Sequence, residues 1–294
     1  MTLRSPRRAS RARRAPRPAP RRARRSGAQT HARKPNARAA RARRFPGART
    51  ALLAAGVALL LAAAALFALD ALSARDYAAL SRQAFASVDD LAADGSDADG
   101  GRDAAAGIDW EALLAANGEC AAWLAVEGTA IDYPVAQASA EEPEFYLSHD
   151  FWGGANAAGC PYLDARCGAE GEAMLVYGHH LGFSTRMFSE LFRAYRQDVF
   201  DDVGAATWST TSGETVFEPL MAMSVDKSYT DIQRFDFDNA EELREWLRAL
   251  SQSATATADD AAGLISEADR VLTLVTCSST LGGQRERTLV VFVA

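Results

Sequence analysis

From Ala122 onward the apolar residues come in short runs broken by glycine and polar turn residues: "AAWLAVEG", "IDYPVAQ", "CPYLDA", "AMLVYGHH", "ETVFEPLMAMSV", "VLTLVTC" and "TLVVFVA". Runs of this length, rich in Val, Leu and aromatic residues, predict strands. So many in one segment predict a mainly β domain, a sandwich or a barrel. One stretch follows the other period. In "NAEELREWLRALSQS" the residues Leu243, Trp246, Leu247 and Leu250 recur three and four apart, Asn239 stands as N-cap, and Glu242 completes a capping-box pattern. A helix is therefore predicted between late strands. "IDWEALLAANGE" predicts a shorter helix, so the folded domain is placed at 108–294. No internal repeat of about 20 to 50 residues is visible.

Upstream the pattern changes twice. "SARDYAALSRQAFASVDDLAA" places Tyr77, Leu80, Ala84, Val88 and Leu91 on one helical stripe, and "DGSDADGGRD" reads as a flexible linker, giving a juxtamembrane helix and linker over 73–107. Before it, Ala51 to Leu69 is nineteen residues without a charge, carried by seven Leu, Val57 and Phe67. At 1.5 Å per residue such a helix reaches roughly 28 Å, close to a bilayer's hydrocarbon thickness. A single transmembrane anchor over 51–72 is expected. It is longer than the apolar part of a cleaved signal peptide.

Charge sharpens that picture. The net charge of -6 conceals an asymmetry: residues 1–50 hold 18 of the 32 Lys+Arg and no Asp or Glu, so the rest carries 14 basic against 38 acidic residues, or -24. Arg41, Arg43, Arg44 and Arg49 precede the apolar run and Asp70 follows it. The positive-inside rule then puts the N-terminus in the cytoplasm and the acidic domain outside. The Arg/Ala/Pro tail over 1–50 is too poor in apolar residues to form a core and is expected to be disordered. An anionic inner leaflet is the partner favoured for its charge, ahead of nucleic acid.

Few residues can carry chemistry. Cys120, Cys160, Cys167 and Cys277 show no CxxC pair and no metal-ligand spacing, so no metal site is expected. Cys160 and Cys167 are either a local disulfide or two buried thiols. Of four histidines, His179 and His180 follow "AMLVYG" at a strand end. If "VLTLVTC" and "RTLVVFV" are neighbouring antiparallel strands, Cys277 faces an arginine across roughly 5 Å. A cation there favours the thiolate and the oxyanion formed when sulfur attacks a carbonyl, and a histidine would move the proton. Arg285 and Arg287 share a face in an extended segment, so periodicity does not choose between them. Register favours Arg287, which adjoins "TLVVFV", and leaves Arg285 to a mobile loop.

These residues resemble the sortases, class B in particular. "TLVTC" is similar to the sortase TLxTC strand, Arg287 stands ten residues after Cys277 as the family's arginine does, and "YGHH" resembles the segment whose histidine directly follows glycine, here His179. "WLAVEGTAIDYPVAQ", "FYLSHDFWGGANAAGCPYLDAR", "MFSEL" and "SYTDIQRFDFDNAEELREWLRAL" agree with class B in order and spacing, so the resemblance covers about residues 108 to 294. Two departures stand out: "GCPYLD" where the family has GSIFLD, and Val275 where it has serine, near the substrate groove.

The resemblance implies a closed β-barrel of about eight strands, with N-terminal helices and one helix inserted between late strands. It implies a membrane-anchored transpeptidase of the bacterial cell surface that cleaves a C-terminal sorting signal after threonine. Cys277 would attack, His179 would protonate the leaving amine, and Arg287 would hold substrate and oxyanion. Tyr229 and Thr276 would contact substrate. The acyl group would pass from a Cys277 thioester to an amine of a peptidoglycan precursor or a pilin. No cofactor and no calcium are implied. A secreted cysteine hydrolase with the same pair, or a non-catalytic surface-binding module, would share most of these features.

Overall fold

The computed structural model describes residues 47–92, 107–182, 184–277 and 285–294, with the backbone alone at 48, 49, 70, 86–92 and 277. The chain divides into two units, residues 1–55 and 56–294. The described residues form nine strands, in chain order β1 (Cys120–Val126), β2 (Asp132–Gln137), β3 (Tyr162–Leu163), β4 (Ala173–Tyr177), β5 (Ala206–Thr210), β6 (Gly213–Asp226), β7 (Ala256–Thr257), β8 (Val271–Cys277) and β9 (Glu286–Val293). They form one sheet in the order β5-β1-β2-β3-β4-β8-β9-β6-β7, and β5 also pairs with β6. That last pairing closes an eight-strand barrel and leaves two-residue β7 as an appendage on β6. Among the described strands only the pairs β2–β3 and β4–β8 run parallel.

The seam depends on the length of β6. Its fourteen residues pair with β5 through Gly213 to Phe217 and with β9 from Glu218 to Asp226. The register shifts between Pro219 and Met221, where a proline without an N–H is tolerated at a bulge.

The last two strands read as unbroken apolar runs because both of their faces are covered. Leu272 and Leu274 of β8, with Val290 and Phe292 of β9, belong to the main core. Val271, Val275, Leu289, Val291 and Val293 join a second cluster. That cluster contains Leu243, Leu247 and Leu250 of the helix α4 (Ala240–Ser251), so the expected inserted helix is present between β6 and β8. Asn239 caps it as expected, accepting from the Glu242 N–H at 3.1 Å. The Glu242 carboxylate reaches the Asp238 N–H at 2.7 Å, one residue earlier than a capping box requires, and also pairs with Arg234.

Helix α1 (Gly47–Ala92) is continuous through the apolar run and the amphipathic stripe. Tyr77, Leu80 and Ala84 are buried in the main core, while Leu59 to Leu72 present their leucines bare. Side chains of Val88 and Leu91, and the expected linker "DGSDADGGRD" over 94–103, lie outside the described residues. The chain re-enters at α2 (Trp110–Ala116), capped by Asp109, whose own N–H bonds the Ala84 carbonyl at 2.8 Å. Among the described residues there are also two short α-helices, α3 (Gln197–Phe200) and α5 (Ala261–Glu267), and 3-10 turns at Phe145–Leu147 and Ser189–Arg193. Cys160 and Cys167 are free thiols, so of the two sequence readings the disulfide is not formed.

Candidate active site

The strands β8 and β9 end the barrel wall in an antiparallel ladder whose last rungs are Thr276 opposite Thr288 and Cys277 opposite Arg287. This is the pairing anticipated from the two apolar runs. Arg287 lines a cleft of about 730 Å³, together with His179, Thr276 and Tyr229. The structure thus gathers into one cleft the four predicted site residues whose side chains it describes, and holds the backbone of the fifth, Cys277, on the adjoining rung.

His179 arrives from the other side of β8. Strand β4 runs parallel to it as far as Tyr177 beside Val275, and the Gly178 N–H then bonds the Val275 carbonyl at 3.0 Å. Glycine is required at 178 because a Cβ would lie 2.5 Å from the Phe188 ring. His179 Nε2 lies 2.8 Å from the Leu147 carbonyl. A carbonyl only accepts, which assigns the proton to Nε2 and leaves Nδ1 as the atom that can take or return another. Behind the ring, Gly159 at φ 64° comes so close that a Cβ would meet His179 Cδ2 at 3.1 Å and the Tyr146 carbonyl at 2.5 Å. His180, by contrast, stacks on Phe192 with ring centres 4.1 Å apart.

The cleft wall contains a polar strut that sequence reasoning passed over. Asp164, almost fully buried, accepts from Arg166 Nε at 2.8 Å and Nη2 at 2.7 Å and from the Tyr177 hydroxyl at 3.1 Å. Arg166 also donates to Gln233 Oε1 at 3.0 Å and lies over the Phe235 ring, tying the β3 end to the segment between β6 and α4. Burial works to raise the Asp164 carboxyl, and the hydrogen bonds from Arg166 and Tyr177 outweigh it, holding the group below the ordinary carboxylate value. The only sequence signal was an Asp and an Arg two apart in "YLDAR", which is a weak pattern.

Tyr229 is fixed by a turn on Asp226, whose carbonyl accepts the Tyr229 N–H at 2.8 Å and whose carboxylate accepts the Ser228 N–H and hydroxyl at 2.9 and 2.6 Å. The same carboxylate receives Arg285 through Nε at 2.8 Å and Nη2 at 2.9 Å. Arg285 is therefore tied to the end of β6, where the sequence suggested a mobile loop residue. Thr276 Oγ1 is buried and finds no hydrogen-bond partner among the described residues. A buried hydroxyl of this kind is costly unless a ligand completes it. Among the described residues no group of three or more His, Cys, Asp or Glu is placed to hold a metal ion.

No protein-family model matches the chain. Sortase B of Listeria monocytogenes is 26% identical over 178 residues, covering 59% of this chain and 69% of that protein. Sortase B of Staphylococcus aureus is 24% identical over 184 residues, covering 62% and 72%. Among solved structures, a Staphylococcus aureus sortase B–substrate complex superposes with a TM-score of 0.60 at 22% identity, over 76% of this chain and 96% of that one. Clostridium perfringens sortase B gives 0.54 at 24% identity, over 62% and 97%. Barrel and sequence likeness together identify a sortase-type cysteine transpeptidase. Within that group the relatives are of one kind, and it is the class B sortases that the chain resembles in both sequence and fold.

Proposed function

We propose that the chain is an anchored surface enzyme that cuts secreted proteins at a C-terminal sorting signal, after threonine, and joins them to an amine. The observation that supports this most is the rung of Cys277 opposite Arg287, next to a cleft that His179 and Arg287 share. In this reading the Cys277 thiolate adds to the carbonyl carbon, and Arg287 donates to the resulting oxyanion. The carbon–nitrogen bond breaks as the leaving nitrogen takes a proton from the His179 imidazolium, and a thioester remains. An incoming amine, from a peptidoglycan precursor or a pilin lysine, attacks the thioester and gives its proton to His179, and the thiolate departs. Leu147 holds the imidazole in one orientation throughout through its 2.8 Å contact with Nε2. Tyr229 and the Thr276 hydroxyl, which has no partner among the described residues, contact the substrate.

The domains divide accordingly: a basic cytoplasmic tail over 1–50, an anchor over 51–72, a connecting segment over 73–107 and the catalytic domain over 108–294. The apolar helix supports the anchor, since it is long and apolar enough to cross a bilayer and leaves its leucines exposed.

The test is a peptide library with threonine at the cleavage point, incubated with the protein and an amine nucleophile. Mass spectrometry should find a peptidyl adduct on Cys277 and an amide product that grows with amine concentration. Release of free acid alone, whatever the amine concentration, would mark a hydrolase and end the transpeptidase reading.

A further inference from the structure

The boundary between the bare and the enclosed part of α1 is abrupt. Leu72 is 53% exposed and Tyr77 is 4% exposed, five residues apart on a helix with no Gly or Pro after Gly56. Five residues rise ~7.5 Å, about the thickness of one polar layer of a bilayer. The domain grips the helix at this level. Ser73 Oγ receives Asn156 Nδ2 at 3.2 Å and Arg186 Nη2 at 2.8 Å, and the Tyr77 hydroxyl accepts the Phe151 N–H at 3.1 Å. Beside that grip stands Trp152. Its ring centre is 5.3 Å from that of Tyr77, yet it is 41% exposed, more than any other aromatic side chain described after Leu72.

Trp152 does not protrude through looseness. Asp150 Oδ1 accepts the N–H groups of Trp152 at 3.1 Å and Gly154 at 2.8 Å, and the Asp150 N–H returns to the Gly154 carbonyl at 2.8 Å. Gly153 takes φ 76°, which closes the turn. A rigid turn thus holds an indole out where the apolar helix surface ends. Amphipathic rings favour that depth in a membrane, apolar body inward and N–H toward the headgroups.

We propose that the Trp152 turn is a lipid contact: the catalytic domain rests on the bilayer that α1 enters, with the indole in the headgroup layer. The inference rests on the anchored reading given above. The occupant is the bilayer because the patch continues the bare apolar surface of α1. A helix without a break then sets the height of the cleft above the membrane, and the Trp152 contact limits its tilt.

The full chain is to be reconstituted in phosphatidylcholine/phosphatidylglycerol vesicles carrying bromine near the headgroup end of the acyl chains. Bromine should quench the protein's emission, Trp152→Phe should remove most of that quenching, and Trp246→Phe should leave it in place. Trp152→Ala should turn over a soluble peptide at the normal rate and a bilayer-embedded substrate more slowly. Undiminished quenching in Trp152→Phe, with the chain resisting a carbonate wash, overturns the lipid contact and leaves the anchor standing. Release of the chain by carbonate overturns the anchor and the contact with it.

Discussion

Burial pushes the Cys120 thiol up to about 12 and the Cys167 thiol up to about 11, and raises that of fully enclosed Cys160 as well. All three stay protonated near neutral pH, and a thiol is a poor nucleophile. A small alkylating reagent at neutral pH should therefore add once per chain, at Cys277, as read by peptide mapping; equally fast adducts at Cys120 or Cys167 would contradict the assignment. The arginines separate in the same way. Arg287→Ala should lose roughly a hundredfold to a thousandfold in kcat/KM, the usual cost of one oxyanion donor. Arg287→Lys should stay badly impaired, since a point charge replaces the planar fork. Arg285→Ala should cost far less, because its guanidinium is engaged by Asp226 and acts on the cleft only through the Tyr229 turn. A larger loss in Arg285→Ala than in Arg287→Ala would move the oxyanion role to 285. The Cys277–Arg287 pairing was legible because two adjacent apolar runs leave little freedom of register. Arg285–Asp226 was not, since it joins the end of β6 to a residue 59 positions on, just ahead of β9, and no local pattern encodes it.

Elements declared themselves according to how much of their surface is buried. β8 and β9 are covered on both faces and read at once, and α4 carried both its stripe and its cap in the sequence. β5 and β7 were missed. The first is "ATWST", polar except for buried Ala206 and Trp208, and is a strand because β1 and β6 flank it; the second is two residues set by β6 alone. The Asp164–Arg166 strut was hidden for a related reason, since its partners Tyr177 and Gln233 come from other elements. Its carboxyl titrates below the ordinary value of about 3.9. A group depressed on folding contributes stability that is complete above its unfolded value and is lost as pH falls through the folded one. Asp164→Asn should accordingly lower stability at neutral pH and flatten its decline on acidification, as followed by thermal melts across pH. An acid limb as steep as in the parent would mean that other carboxylates carry it. Arg166 is half exposed, so solvent screening keeps the ion-pair share small and the buried hydrogen bonds carry most of the effect.

At the scale of the whole chain, the proposed orientation rests on charge and hydropathy, which the barrel itself does not need. Eighteen basic residues and no acidic ones lie before position 51, and the residues beyond carry a net -24. Moving the basic segment across a bilayer would cost far more than moving the mixed and foldable remainder, because Lys and Arg counted near the span set topology and Asp and Glu hardly enter. The membrane potential adds to this, at about 2.3 kcal/mol per charge per 100 mV. The anchor should therefore run with its first residue inside and its last outside, delivering the cleft to proteins that have already been exported. Protease added to intact protoplasts should digest the domain over 108–294 and spare an epitope placed before residue 50. Replacing Arg41, Arg43, Arg44 and Arg49 by Ala should weaken that bias and let a fraction of chains insert the other way, visible as a protease-resistant domain. A protected domain in the unaltered chain would invert the topology, and with it the claim that the enzyme meets its substrates outside the cell.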